Sequence, residues 1–301
     1  MYKKIIYISV GFLVGIAFVP HSFNNSQSTI NPKVLGIETN AKSEQYYKSP
    51  EISINLSPPQ VTAKSALIFD LGSDTILYSK DFDTQLPIAS LTKLMTALVV
   101  LDKQNVTNRV EVNQADTKVV GSAMGLTGGE VILVQDLLRG MLISSSNDAA
   151  LALARSTSED IQIFVDLMNQ QARDLKMTET NFTNPVGWDI NDNYSTCLDL
   201  KKLVIEILKQ DQLKNIFKTK ETEVQSQDKL YIHKLVTTNK LMLANPNIVG
   251  IKTGYTTKAL GNLIIDSQVL GTNVIAIILN SQDREGDAQK LLDWVYSVYR
   301  W

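Results

Sequence analysis

The spacing of apolar residues changes character several times along this chain. From Ile5 to Val19 nearly every residue is apolar, with Lys3 and Lys4 directly before the run. From Pro20 to about Gln60 the chain is rich in Asn, Ser, Thr, Pro and Lys, and apolar periodicity fades. Residues 66–71 (ALIFDL) predict a strand, 72–74 (GSD) a turn, and 75–78 (TILY) the returning strand. Residues 87–100 (PIASLTKLMTALVV) predict a helix that opens just after Pro87. Its side chains are apolar nearly all round, with Thr96 the polar exception, so it belongs inside the protein. Helical spacing then recurs over 134–143, from 148 to 155, over 161–175 and over 198–208. Past that point strands return, at 249–255, 262–266 and 274–279, before a closing helix over 283–299.

Strands at both ends with helices between them predict an α+β fold. One mostly antiparallel sheet would combine N- and C-terminal strands, with an all-helical region inserted. The positively charged start and apolar run over residues 1–20 read as a signal peptide or a retained N-terminal membrane anchor. The run is shorter than a comfortable span of about 20 residues, and no clear Ala-x-Ala cleavage site follows it. Residues 21–60 read as a disordered linker, and 61–301 as the folded domain.

Composition removes several function classes. The chain of 301 residues has a formal net charge of −2, which leaves no basic footprint for nucleic acid. Its one cysteine, Cys197, excludes an intrachain disulfide. With two histidines, His21 and His233, Cys-His zinc spacings are absent. His233 and Cys197 read as satisfied or buried fillers.

The buried helix carries the first candidate chemistry. Ser90 and Lys93 are three residues apart and share a helical face. A desolvated lysine loses basicity and becomes an amine able to take a proton from serine. Ser-x-x-Lys alone occurs about once by chance in a chain of this length, and Ser226-Gln227-Asp228-Lys229 is such a decoy. Two further motifs give it company. Ser145-x-Asn147 lies between two predicted helices, where a hydroxyl and an amide can face a cleft. Lys252-Thr253-Gly254 falls on a predicted strand, where Lys252 and Gly254 share a face if the pleat is regular. A strand glycine permits close approach of a ligand or another backbone.

These motifs, in this order, resemble the serine penicillin-recognising enzymes, and in particular the low-molecular-mass D-alanyl-D-alanine carboxypeptidases. The flanks extend the likeness: residues 88–97 (IASLTKLMTA), 137–150 (LLRGMLISSSNDAA), 184–187 (NPVG) and 250–256 (GIKTGYT). The resemblance implies a β-lactamase/transpeptidase-like fold and no metal or organic cofactor. It implies Ser90 as nucleophile, Lys93 as its base and Ser145 as proton relay to the leaving amine. Asn147 would hold the substrate amide and steady Lys93. Lys252 and Thr253 would hold the terminal carboxylate, with Gly254 in the same strand. The backbone N–H groups of Ser90 and Tyr255 would form an oxyanion hole. The implied partners are a peptidoglycan stem peptide ending in D-Ala-D-Ala and β-lactams as covalent inhibitors. The membrane would join them if the N-terminal segment stays uncleaved, with action outside the cytoplasm.

Rival readings differ in specific features. A β-lactamase of the main class would need a Glu-x-x-Leu-Asn pattern between the second and third motifs, and none is present. A D,D-endopeptidase would use the same groups. A non-catalytic peptidoglycan- or β-lactam-binding module would have no need of Lys93. A Ser-His-Asp triad would need His233, with no Gly-x-Ser-x-Gly elbow to pair with.

Overall fold

In a computed structural model of the chain, the residues described are 48–189 and 193–301. The expected leader and most of the expected linker lie outside them. Two short strands, β1 (Glu51–Ile52) and later β13 (Tyr299–Arg300), pair with each other. The main strands begin with β2 (Ser65–Asp70) and β3 (Ile76–Lys80). A short β4 (Leu86–Pro87) leads into a 3-10 turn over Ala89–Leu91 and then helix α1 (Thr92–Lys103). The helical region follows. It contains β5 (Arg109–Glu111) and β6 (Val131–Leu133), then α2 (Val134–Ile143), α3 (Asn147–Ser158) and α4 (Ile161–Asp174). It goes on through β7 (Tyr194–Ser195), α5 (Cys197–Ile207), α6 (Asp211–Phe217), the hairpin β8 (Glu221–Gln225) and β9 (Ile232–Val236), and α7 (Lys240–Ala244). The chain then returns to the sheet through β10 (Ile248–Thr256), β11 (Leu260–Val269) and β12 (Thr272–Ser281), and closes with α8 (Arg284–Val298).

The central sheet has five strands in the order β10-β11-β12-β2-β3, and every pairing in it is antiparallel. The expected α+β architecture is therefore the observed one. Strand alternation divides the core into two layers. Leu67, Phe69, Ile264, Ile275 and Ile277 join a cluster with the helical region. Ala66, Ile68, Leu263, Ile265, Ala276 and Ile278 face the opposite way, against Leu291, Leu292 and Val295 of α8. Sheets covered on both faces need apolar residues at successive positions, which explains runs such as residues 274–279 (VIAIIL).

Two boundaries differ from the sequence reading. The α-helix starts at Thr92 rather than just after Pro87. Pro87 is held in β4 against Tyr194, and Ala89 takes a positive φ of 48° that no α-helix tolerates. Ser90 thus sits in the 3-10 turn before the helix. The ordered chain also begins before residue 61. Ser53 donates its amide to the Val298 carbonyl, and the Trp294 indole donates to the Leu56 carbonyl. Among the described residues no helix is long and apolar enough to cross a membrane.

Candidate active site

Helix α1 is buried on all sides from Thr92 to Val100. Burial leaves its polar side chains in need of partners. The turn at residues 184–188 supplies two of them. Thr96 Oγ1 donates to the Pro185 carbonyl at 2.7 Å, and Lys93 Nζ donates to the Val186 carbonyl at 2.8 Å. The turn is shaped by Asn184, whose Oδ1 accepts from the amides of Val186, Gly187 and Trp188. Gly187 completes it with φ near +90°, and its α-carbon comes so close to the nucleophile turn that a Cβ would sit 1.9 Å from the Ala89 carbonyl oxygen.

Lys93 Nζ also lies 2.8 Å from Ser90 Oγ. The amine is held well below its ordinary basicity, first by burial and second by the charge of Lys252, while Asp148 acts in the opposite direction. A neutral amine in that position can accept the serine proton as Ser90 attacks an electrophile.

The second amine has a parallel setting. Lys252 is buried on β10, where the register slips between Gly250 and Lys252. A regular pleat would put Thr253 on the opposite face. Here both Lys252 and Thr253 are buried. Lys252 Nζ donates to Ser145 Oγ at 2.8 Å and to the Thr253 carbonyl at 2.9 Å. Burial, with a smaller contribution from the Arg284 charge, lowers its pKa to about 7. Ser145 sits between α2 and α3 at φ 62°, a left-handed conformation costing a non-glycine residue about 1–3 kcal/mol. Backbone strain of that kind gathers at functional sites. Thr253 Oγ1 shares a hydrogen bond with Thr238 Oγ1.

Gly254 brings β10 against the nucleophile turn. A Cβ there would stand 3.1 Å from both the Ile88 carbonyl oxygen and the Ser90 nitrogen. Asn262 Nδ2 donates to the Pro87 carbonyl and ties β11 to the same turn. Asn147 opens α3, and its Nδ2 donates to the Val120 carbonyl at 2.6 Å. Its amide is therefore fixed by the loop before β6. The expected contact that steadies Lys93 is supplied instead by Val186. The Tyr255 side chain is 67% exposed, at the rim and apart from the buried cluster. The decoy serine, Ser226, bonds Asp228 between β8 and β9.

Two contributors carried no role in the sequence reading. The Asn184–Gly187 turn was legible as Asn, Pro and Gly in close succession, a turn signal without a stated partner. Arg284, whose Nη1 donates to the Gly254 carbonyl at 2.7 Å, had no local signal at all. Among the described residues no group of three His, Cys, Asp or Glu side chains could hold a metal ion.

Two buried amines, each against a serine hydroxyl, agree with what comparison with known proteins finds. Residues 53–283 match the profile of Peptidase S11, D-alanyl-D-alanine carboxypeptidase. The chain belongs to this family. It is 31% identical over 246 residues to the D-alanyl-D-alanine carboxypeptidase DacF of Bacillus subtilis (strain 168), a match covering 79% of this chain and 63% of that protein. It is 32% identical over 248 residues to the D-alanyl-D-alanine endopeptidase of Escherichia coli (strain K12), covering 79% of each. The chain thus spans less than two thirds of the length of the Bacillus relative. Among solved structures it resembles the Streptomyces K15 DD-transpeptidase, with a TM-score of 0.76 and 29% identity, covering 80% of this chain and 100% of that one.

Proposed function

We propose that the protein is a serine D-alanyl-D-alanine carboxypeptidase that trims peptidoglycan stem peptides outside the cytoplasm. The observation that carries this reading is the pair of buried amines, each 2.8 Å from a serine hydroxyl. Ser90 Oγ attacks the carbonyl carbon of the penultimate D-Ala while Lys93 takes its proton. The backbone N–H groups of Ser90 and Tyr255 stabilise the oxyanion. As the C–N bond breaks, Ser145 gives its proton to the departing amine and takes over the one that Lys93 received from Ser90, with Lys252 supporting the relay, so that Lys93 is neutral again. Lys252 and Thr253 hold the terminal carboxylate, and Asn147 donates its remaining amide hydrogen to the substrate carbonyl. Gly254 keeps the strand close enough to the nucleophile for the peptide to span both. Water then attacks the ester, Lys93 takes its proton and passes it to Ser90 Oγ as the acyl C–O bond breaks, and the shortened peptide leaves. Benzylpenicillin would follow the first half of this path, its ring opening on Ser90. No step calls for a metal or an organic cofactor. Residues 61–301 carry the chemistry. Residues 1–20 act as a leader or membrane anchor, and the tether follows it, ending where β1 and Ser53 fasten the chain to the domain.

Endopeptidase action on cross-linked stems is the second reading. It is favoured by the likeness to the Escherichia coli endopeptidase and needs the same groups.

Intact-mass spectrometry after incubation with benzylpenicillin tests the proposal. One acyl adduct on the wild type, absent in Ser90→Ala, together with D-Ala release from a pentapeptide, is the expected result. Rapid penicillin loss without a lasting adduct would indicate a β-lactamase. No adduct and no D-Ala release would sink the catalytic reading. Release from cross-linked dimers but not from pentapeptide would favour the endopeptidase.

A further inference from the structure

We propose that His233 and Glu130 form a positioning pair for Asn147, acting through the loop of residues 120–130. This rests on the functional reading above, since it gives Asn147 a task in acylation.

His233 lies on β9, in the hairpin outside the catalytic cluster, and Glu130 directly precedes β6. Both are buried, with side-chain exposures of 5% and 0%. His233 Nε2 is 2.6 Å from Glu130 Oε1, and Nδ1 is 3.0 Å from the Met124 carbonyl oxygen. The other Glu130 oxygen accepts from the Thr127 amide at 3.1 Å. One side of the loop is thereby fastened to the hairpin.

The other side is fastened to the start of α3. The Asp148 carboxylate accepts from the amides of Met124, Gly125 and Leu126. Asn147 donates its backbone amide to the Ser122 carbonyl at 2.7 Å and its side-chain amide to the Val120 carbonyl. A carbonyl only accepts, so the Val120 bond sets which way the Asn147 amide faces. Its orientation is therefore inherited from the loop, and the loop is held between Asp148 and the His233–Glu130 pair.

Met124 offers only an acceptor, so Nδ1 carries a hydrogen towards it. Nε2 is hydrogen-bonded to a carboxylate oxygen, so one hydrogen lies between them. Glu130→Gln can supply that hydrogen as an amide N–H, while its carbonyl still accepts from Thr127. Glu130→Ala or His233→Phe removes the side-chain fastening and leaves the backbone bonds of Val112 to Gly129 and Glu130.

The test uses the full chain and reads the second-order rate of Ser90 acylation by benzylpenicillin, hydrogen exchange at the Asn147 amide, and thermal unfolding. Glu130→Ala should slow acylation about tenfold or more, because small misplacements of a substrate-holding group are costly, and should speed exchange at Asn147. Glu130→Gln should keep both within about twofold of wild type, in line with its retained hydrogen bonds. His233→Phe should resemble Glu130→Ala. It leaves one oxygen of a buried carboxylate without its partner, so if it fails to fold, Glu130→Ala carries the decision. Folded Glu130→Ala with wild-type acylation and exchange overturns the proposal, whatever its thermal stability. So does Glu130→Gln impaired as badly as Glu130→Ala. If the wild type itself is not acylated, the functional reading falls. Exchange at Asn147 then decides alone, and unchanged exchange in Glu130→Ala overturns the pair.

Discussion

Gly187→Ala would drive a methyl group into the backbone that carries the nucleophile. The added carbon would lie 1.9 Å from the Ala89 oxygen, 2.3 Å from the Ala89 carbonyl carbon and 2.9 Å from the Ser90 nitrogen. All three are main-chain atoms, which have no rotamer to escape into. Ordinary contact begins near 3.4 Å, so the two segments must part by about 1.5 Å. The positive φ adds strain of about 1–3 kcal/mol for a non-glycine residue. The parting takes the Val186 carbonyl away from Lys93, a charged-group hydrogen bond of about 1.5–3 kcal/mol when the amine is protonated. Misplacing a reacting pair by about 1 Å costs on the order of 100-fold in rate, or about 3 kcal/mol. Acylation of Ser90 by benzylpenicillin should therefore slow by roughly 100-fold. Rapid-quench mass spectrometry gives that rate, and thermal unfolding gives the stability. Gly271→Ala is the matched control. Its φ is +82°, but nothing lies within 4 Å of the added carbon, so it carries the conformational strain alone. Gly187→Ala acylating within about twofold of wild type would refute the claim that this turn sets the nucleophile's geometry.

Asn184→Ala should destabilise the fold by about 1–3 kcal/mol and slow acylation, because three turn amides lose their shared acceptor. An unfolding midpoint equal to wild type would count against it. The depressed Lys252 pKa predicts a pH effect. The unfolded chain binds this proton near 10.5 and the folded chain near 7, so stability is full above 10.5 and is lost as pH falls towards 7. Wild type should gain stability over Lys252→Met between pH 7 and 10, measured by denaturant titration, and parallel curves would contradict the burial argument. Arg284→Met should raise the Lys252 pKa above about 7 by removing a nearby positive charge. An NMR titration of the Lys252 amine that shows no rise would remove Arg284 from the site's electrostatics.

Much of this was legible in the sequence where local spacing and tertiary role coincide. The runs of residues 66–71 and 274–279 read as strands, and they became the neighbours β2 and β12. The spacing of Ser90 and Lys93 survived although Ser90 lies in a 3-10 turn, since both kinds of helix bring residues three apart together. The hairpin β8–β9 was missed because its strands are short and mostly exposed, with Val224, His233 and Leu235 alone buried in them. The Lys93–Val186 bond was out of reach for another reason. Its acceptor is a backbone carbonyl 93 positions away, and a main-chain oxygen leaves no trace in residue identity.

The order of strands in the sheet has a consequence for how the protein comes into being. β2 is among the first structured segments made, yet its neighbour β12 lies some 200 residues later, and β10 reaches the sheet only by way of β11. A growing chain that has reached residue 245 contains Ser90, Lys93, Ser145 and Asn147 but no strand to carry Lys252. Pairings so distant in sequence form slowly, since long loops must close before any contact rewards them. The half-made chain therefore holds a nucleophile without the strand that completes its pocket, and reactivity towards penicillin should appear late and all at once.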